Sequence, residues 1–103
     1  MNSNFLPRYA VLPTGTTTDA SGAQTGANIV ALAANARRIG LYIANNGANP
    51  MAVNFGAVAV IGGAGSIPVA AGTRLDMGLQ ALPSESVNII GTLGDAYTVK
   101  EIA

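Results

Sequence analysis

The side chains that could carry out acid–base chemistry in this chain are few and lie far apart in the sequence. The five carboxylates are Asp19, Asp76, Glu85, Asp95 and Glu101, and the chain has no histidine and no cysteine. The side chain that most often acts as a base near neutral pH, and the thiol nucleophile, are therefore missing. A carboxylate base would need burial that raises its pKa by about two to three units. Because each acid falls in a different predicted element among polar or small residues, we predict no catalytic residue and no enzymatic activity.

A glycine-rich segment and a segment that begins with an aspartate could each suggest a ligand site, but neither has the required pattern. The segment Gly62-Gly63-Ala64-Gly65 lacks the lysine of a phosphate-binding P-loop and the spacing of a dinucleotide fingerprint, so it predicts a hairpin turn. The segment that begins at Asp19 lacks the alternate oxygen ligands of a calcium loop. We therefore predict no cofactor and no metal ion.

The small number of charged residues indicates which kinds of partner the protein has. The chain has five basic and five acidic residues, which is 10% of its length and gives a net charge of zero, whereas a typical domain carries about 25% charged residues. No basic stripe predicts nucleic-acid binding, and no apolar stretch reaches the ~20 residues of a membrane span. Because a neutral surface protects a free protein poorly against association, we predict a homo-oligomer, preferably a trimer, within a larger assembly. An ordinary soluble domain of unusual composition is the alternative.

Six residues are candidates for contacts between subunits. They are Phe5, Leu6, Arg37, Arg38, Arg74 and Asp76. The first two belong to a short apolar segment near the N-terminus. The two adjacent arginines begin a predicted strand, where they could contact an acidic partner or remain solvated. The Arg–Asp pair shares the polar face of another predicted strand, and the two could pair with each other or with a neighbouring subunit.

The pattern of apolar residues predicts an all-β fold. Ile39, Leu41 and Ile43 alternate with small or polar residues, and residues 45–50 are rich in turn formers, so residues 38–55 are predicted to form a hairpin. Further short strands are predicted at residues 29–34, 57–61, 66–69, 73–77, 87–90 and 96–102. This rhythm is typical of a small antiparallel β-sandwich or a jelly-roll-like barrel of about seven to eight short strands.

The N-terminal part of the chain differs from the rest in composition. Pro7 predicts an edge strand or an extended arm for the first residues, and residues 13–27 contain no large apolar side chain. Such a segment is typical of a long loop or of an arm that a partner orders. We therefore divide the chain into an extended N-terminal arm and loop, residues 1–28, and a β-sandwich domain, residues 29–103.

Four segments, taken in order, resemble small β-sandwich virion proteins of tailed bacteriophages. The segments are ARRIGLYIANNG at 36–47, NPMAVNFG at 49–56, IPVAAG at 67–72 and AYTVKEI at 96–102. The resemblance implies a head decoration or cement protein that binds the major capsid protein, or other virion proteins, at the particle surface and stabilises the assembled head. It supplies no catalytic residue. Another particle component (a tail, baseplate or head–tail joining protein) and a fibre-tip module that binds a receptor or glycan are the alternatives.

Overall fold

The computed structural model of the protein describes residues 14–78 and 82–103 and has the predicted all-β fold. These residues contain nine strands and no helix. The strands are β1 (Thr17–Asp19), β2 (Gly22–Ala23), β3 (Ile29–Leu32), β4 (Gly40–Asn45), β5 (Met51–Phe55), β6 (Ile67–Val69), β7 (Arg74–Met77), β8 (Val87–Ile90) and β9 (Ala96–Ile102). The candidate contact residues Phe5 and Leu6 lie outside the described residues.

The strands form two antiparallel sheets with the connectivity of a jelly roll. Sheet A has the order β1-β9-β4-β7, with β2 also pairing β9, and sheet B has the order β3-β8-β5-β6. If β1 and β2 are counted as one interrupted strand, the chain pairs first with last: β1 and β2 with β9, β3 with β8, β4 with β7, and β5 with β6. This nesting is that of a long hairpin rolled into two facing sheets. The predicted antiparallel sandwich is therefore confirmed.

The predicted hairpin over residues 38–55 is wrong. Strand β4 pairs with β9 and β7 in sheet A, whereas β5 pairs with β8 and β6 in sheet B. The segment between β4 and β5 therefore crosses from one sheet to the other. Turn-forming residues fit both arrangements, so the composition of this segment does not distinguish a hairpin from a crossover.

Asn45 gives the physical reason for the crossover. This residue is only 2% exposed, and its side-chain amide donates to the carbonyl oxygens of Asn49 at 2.8 Å and Val69 at 2.9 Å. Its side-chain oxygen accepts from the backbone N–H of Gly47 at 3.0 Å. Because Val69 belongs to sheet B and Asn45 to sheet A, the buried amide joins the two sheets at this end of the sandwich.

Two further segments differ from the sequence predictions. Residues 13–27 were predicted to be a loop or an arm, but β1 and β2 extend sheet A alongside β9. Residues 57–61 were predicted to be a strand, but they belong to an irregular connection between β5 and β6. In the first case β1 and β2 pair with the edge of β9 although they contain no large apolar side chain. In the second, side-chain hydrogen bonds hold an apolar segment outside the sheets, as described below.

The core lies between the sheets and is almost entirely aliphatic. Its members are Leu32, Leu41, Ile43, Met51, Val53, Val69, Val87, Ile89, Tyr97 and Val99. Leu75 and Met77 pack against it from β7, as the alternation in that strand predicts. Full burial of one large aliphatic side chain contributes about 1.5–3 kcal/mol to stability.

A buried ion pair closes the end of the sandwich opposite Asn45. The Nε of Arg38 lies 2.7 Å from a carboxylate oxygen of Glu101, and the two side chains are 0% and 8% exposed. The guanidinium also donates to the carbonyl oxygens of Pro83 at 2.7 Å, Glu85 at 2.8 Å and Ala33 at 3.0 Å. One side chain therefore ties β9 to the segments that precede β4 and β8.

Replacing Arg38 by Met should strongly destabilise the fold. The Arg38→Met variant leaves the Glu101 carboxylate buried without its partner, for which we expect a loss of about 3–5 kcal/mol in the free energy of unfolding. Urea denaturation followed by circular dichroism measures this loss. The matched control is Arg37→Met at the exposed neighbouring residue, which should change stability by less than about 0.5 kcal/mol.

The double variant Arg38→Met, Glu101→Leu separates the ion pair from simple packing. It should recover part of the lost stability, because the uncompensated charge is gone. Equal stability of the Arg38→Met and Arg37→Met variants would contradict the structural role given to Arg38.

Candidate functional site

The acidic side chains do not converge on a common site. Asp19 accepts hydrogen bonds from Ser21, Asp95 from Asn49, and Glu101 from Arg38. Within residues 14–78 and 82–103, no group of three or more Asp or Glu side chains is placed to hold a metal ion. Each of these three acids stabilises its own part of the fold.

The structure places the arginine candidates in different environments. The side chain of Arg38 is inside the subunit and bonded as described, so it is not available to contact another subunit. Arg37 is exposed. Arg74 and Asp76 are also exposed, at 62% and 59%, and pair with each other at 3.4 Å, which is one of the two arrangements considered for them.

Arg74 also holds the ring of Tyr42 on the outer face of sheet A. Its guanidinium carbon lies 5.5 Å from the ring centroid, and its Nη1 donates to the Tyr42 hydroxyl at 3.2 Å. This hydrogen bond, together with the charges beside it, including that of Asp76, holds the pKa of Arg74 above its usual range. The guanidinium therefore lies over one face of the Tyr42 ring, the arrangement of a cation–π contact.

A surface that the sequence did not reveal lies on the outer side of sheet B. We call the connection from β5 to β6, residues 56–66, the valine loop. It folds back over the sheet, where Ala59 is fully buried and Ala52 and Asn88 of the covered face are 2% and 4% exposed. Positive φ angles at Gly62 and Gly65, 70° and 82°, form its tight turn, and such angles favour glycine.

Asparagine side chains fasten the valine loop to the sheet. Asn28 accepts from the backbone N–H of Ala59 at 2.8 Å and donates to the side chain of Asn88 at 3.2 Å. Asn54 donates to the carbonyl oxygen of Val58 at 3.2 Å. The loop is therefore bonded to the sheet by two side chains, Asn28 and Asn54, and Asn88 bonds the first of them.

The outward side of the valine loop is apolar and uncharged. Val58, Val60 and Ile61 are 61%, 52% and 52% exposed, and Val30, on the same side of sheet B, is 60% exposed. Residues 56–66 contain no charged side chain. The apolar run ahead of Gly62 was visible in the sequence, but it was interpreted as a strand and not as an exposed surface.

The outer face of sheet A carries a shallow groove of about 460 Å³. It is lined by Thr17, Tyr42, Ala44, Asn46, Thr98, Lys100 and Ile102. These residues alternate along β4 and β9 with the core residues, so their side chains point away from the core. The two faces of the sandwich therefore differ: sheet B is covered by an apolar loop, and sheet A is bare and mostly polar.

One buried amide does not belong to either surface. Gln24 is 3% exposed, and its Oε1 has no hydrogen-bond partner among the described residues. Its amide fills the space where a side chain at Gly91 would lie. Gln24 is enclosed by its own fold, so we assign it a structural role.

Comparisons of the chain with protein-family models, with curated proteins and with solved structures found no match. The described part of the chain contains no helix with the length and hydrophobicity needed to cross a membrane.

Replacing Asn28 by Ala should loosen the valine loop without unfolding the sandwich. The variant removes the acceptor of the Ala59 N–H, which contributes about 1 kcal/mol. We expect the amide hydrogen of Ala59 to exchange about fivefold faster, because local opening costs less free energy. Native-state hydrogen exchange by NMR measures this change. Asn49→Ala, whose side chain contacts Asp95 and not the valine loop, is the control, and equal exchange at Ala59 in both variants would contradict the anchoring role of Asn28.

Proposed function

We propose that this chain is a non-enzymatic structural protein that binds an assembled particle and holds neighbouring subunits together. The particle that the sequence resemblance suggests is a bacteriophage head, with the major capsid protein or another virion protein as the partner. The valine loop is the observation that carries the proposal. It supplies an apolar, uncharged and rigidly held surface outside the hydrophobic core.

The energetics of the valine loop favour association. Each buried Å² of apolar surface contributes about 25 cal/mol, and four large aliphatic side chains are more than half exposed around this loop. Since Asn28 and Asn54 already fix the backbone of the loop, a partner that binds it does not have to order it first. A rigid apolar centre within a polar surround is typical of specific protein interfaces.

The sheet edges favour contacts through loops and faces over strand addition. Strand β6, at one edge of sheet B, contains Pro68, which cannot donate to an added strand. Strand β3, at the other edge, has a β-bulge between Val30 and Leu32, and bulges disrupt regular pairing. Both edges of sheet B are thus protected against uncontrolled pairing, while the apolar loop beside them stays available.

The fold and composition agree with a role in an assembly. Jelly rolls occur in viral capsid proteins, although the same fold also occurs in lectins and cupins, so the fold alone does not define a function. A net charge of zero and only 10% charged residues leave little long-range repulsion between copies. These features support a homo-oligomer, preferably a trimer, that coats a surface at high local density.

The mechanism would be thermodynamic linkage. A protein that binds only the assembled lattice stabilises each site by RT ln(1 + [L]/Kd), which is about 2.7 kcal/mol when its free concentration is 100 times Kd. Because a particle has many equivalent sites, the summed binding free energy opposes rupture of the particle. This stabilisation requires no chemical reaction.

Polar replacements in the valine loop should weaken binding to the particle. In the triple variant Val58→Ser, Val60→Ser, Ile61→Ser, the lost apolar burial should raise the Kd for particles by more than about tenfold. Co-sedimentation with particles assembled without the protein measures Kd. Light scattering measures the oligomer mass at tens of micromolar protein, a concentration on the order of a weak self-association constant.

The control for this experiment is Leu93→Ser. Leu93 is 74% exposed and lies in the connection between β8 and β9, outside the valine loop. Its replacement should leave both binding and oligomer mass unchanged. A triple variant that binds heads as tightly as the natural chain would contradict the proposal. Binding of the natural chain to isolated tails and not to heads would indicate a tail component in place of a head protein.

A further inference from the structure

The groove on the outer face of sheet A can recognise a ligand only through side chains. Its walls come mainly from β4 and β9, which are interior strands with neighbours on both sides. Their backbone N–H and C=O groups are therefore used within the sheet. An extended peptide, which binds by adding a strand to a sheet edge, finds no open edge in the groove.

The polar side chains of the groove retain hydrogen-bonding capacity. The Tyr42 hydroxyl accepts from Arg74, and the Thr98 hydroxyl accepts from Asn46 at 2.8 Å. Each hydroxyl therefore still has its own hydrogen to donate. Among the described residues, the ammonium of Lys100 has no hydrogen-bond partner. Three hydrogen-bond donors thus lie close together along the groove.

The charges around the groove balance. The strand register places Asp19, Lys100, Tyr42 and Asp76 in one row across the sheet, and Arg74 lies beside this row. Two cations and two anions therefore share the face. Ser21 donates hydrogen bonds to the Asp19 carboxylate and holds its pKa below the usual range, so this acid remains charged near neutral pH. Phosphate or nucleic acid would meet no net positive charge here.

The remaining lining of the groove is apolar and small. Ala44 forms its floor and is 8% exposed, and Tyr42 lies beside it, two residues along β4. Ile102, which is opposite Gly40 in the register, supplies apolar lining on the other side of Tyr42. A volume of about 460 Å³ lies within the range of about 300–1,000 Å³ that small-molecule sites have.

We infer that this groove binds a neutral saccharide, a mono- or disaccharide with adjacent free hydroxyls. The hydroxyl oxygens of a sugar ring accept hydrogen bonds, which matches the donors on Tyr42, Thr98 and Lys100. The C–H face of the ring is apolar and matches Tyr42 and Ile102. The site lies on the sheet opposite the valine loop, so it goes beyond the proposed structural role and does not depend on it.

The test is an NMR titration of the ¹⁵N-labelled full chain with maltose, cellobiose, lactose and N,N′-diacetylchitobiose, each as a separate probe. At least one disaccharide should cause saturable shifts centred on the amides of Tyr42, Thr98 and Lys100, with a Kd on the order of 1 mM. Tyr42→Phe and Thr98→Val each remove one hydroxyl with little change in shape, and each should weaken binding about three- to tenfold.

Ala44→Leu provides the decisive variant. The larger side chain occupies the floor of the groove on the outer face of the sheet, so binding should be lost while the spectrum elsewhere stays that of the folded protein. Val58→Ser, on the opposite sheet, is the matched control and should bind saccharide normally. The inference is overturned if none of the four disaccharides gives saturable shifts, if Ala44→Leu binds as tightly as the natural chain, or if inorganic phosphate binds the same amides more tightly than every saccharide.

Discussion

The buried contact between Arg38 and Glu101 is the interaction on which the arrangement of one end of the molecule depends. The guanidinium holds the carbonyl oxygens of Pro83 and Glu85, and the next residue, Ser86, accepts a hydrogen bond from the N–H of Gly56 at 2.9 Å. The valine loop begins at Gly56. A charge pair buried inside the sandwich thus sets the starting point of the surface loop. Such pairs contribute less to net stability than to fixing one arrangement of their neighbours, since their attraction is offset by desolvation.

The sequence predicted features that depend on neighbours along the chain and missed those that depend on distant partners. Alternation correctly assigned Leu75 and Met77 to the inward side of β7. The burial of Arg38 could not be predicted, because its partner Glu101 lies in the last strand. The hairpin prediction failed for the same reason, since the Asn45 amide selects the crossover through a contact with Val69.

The two outer faces of the sandwich differ because a loop covers sheet B, whereas sheet A carries an open groove. On sheet B, the side chains of Asn28 and Asn54 bond the valine loop, so the face is covered and its exterior is apolar. On sheet A, the small side chain of Ala44 leaves the floor of the groove open beside Tyr42. The N-terminal residues contribute to this second surface, because Thr17 of β1 lines the groove. Although their composition suggested a separate arm, β1 and β2 are part of the sheet that carries the groove.

The pairing of first strand with last has a consequence for how the chain folds. Thr17 lies opposite Ile102, and β9 stands between β1 and β4, so sheet A has no continuous centre until β9 has been synthesised. Contacts between residues so far apart in sequence close slowly, because the entropy of a long loop is lost before the contacts form. On the ribosome, the apolar strands β4 and β5 therefore emerge well before their sheets can assemble. We therefore expect sheet A to be completed late, when β9 joins β1 and β4.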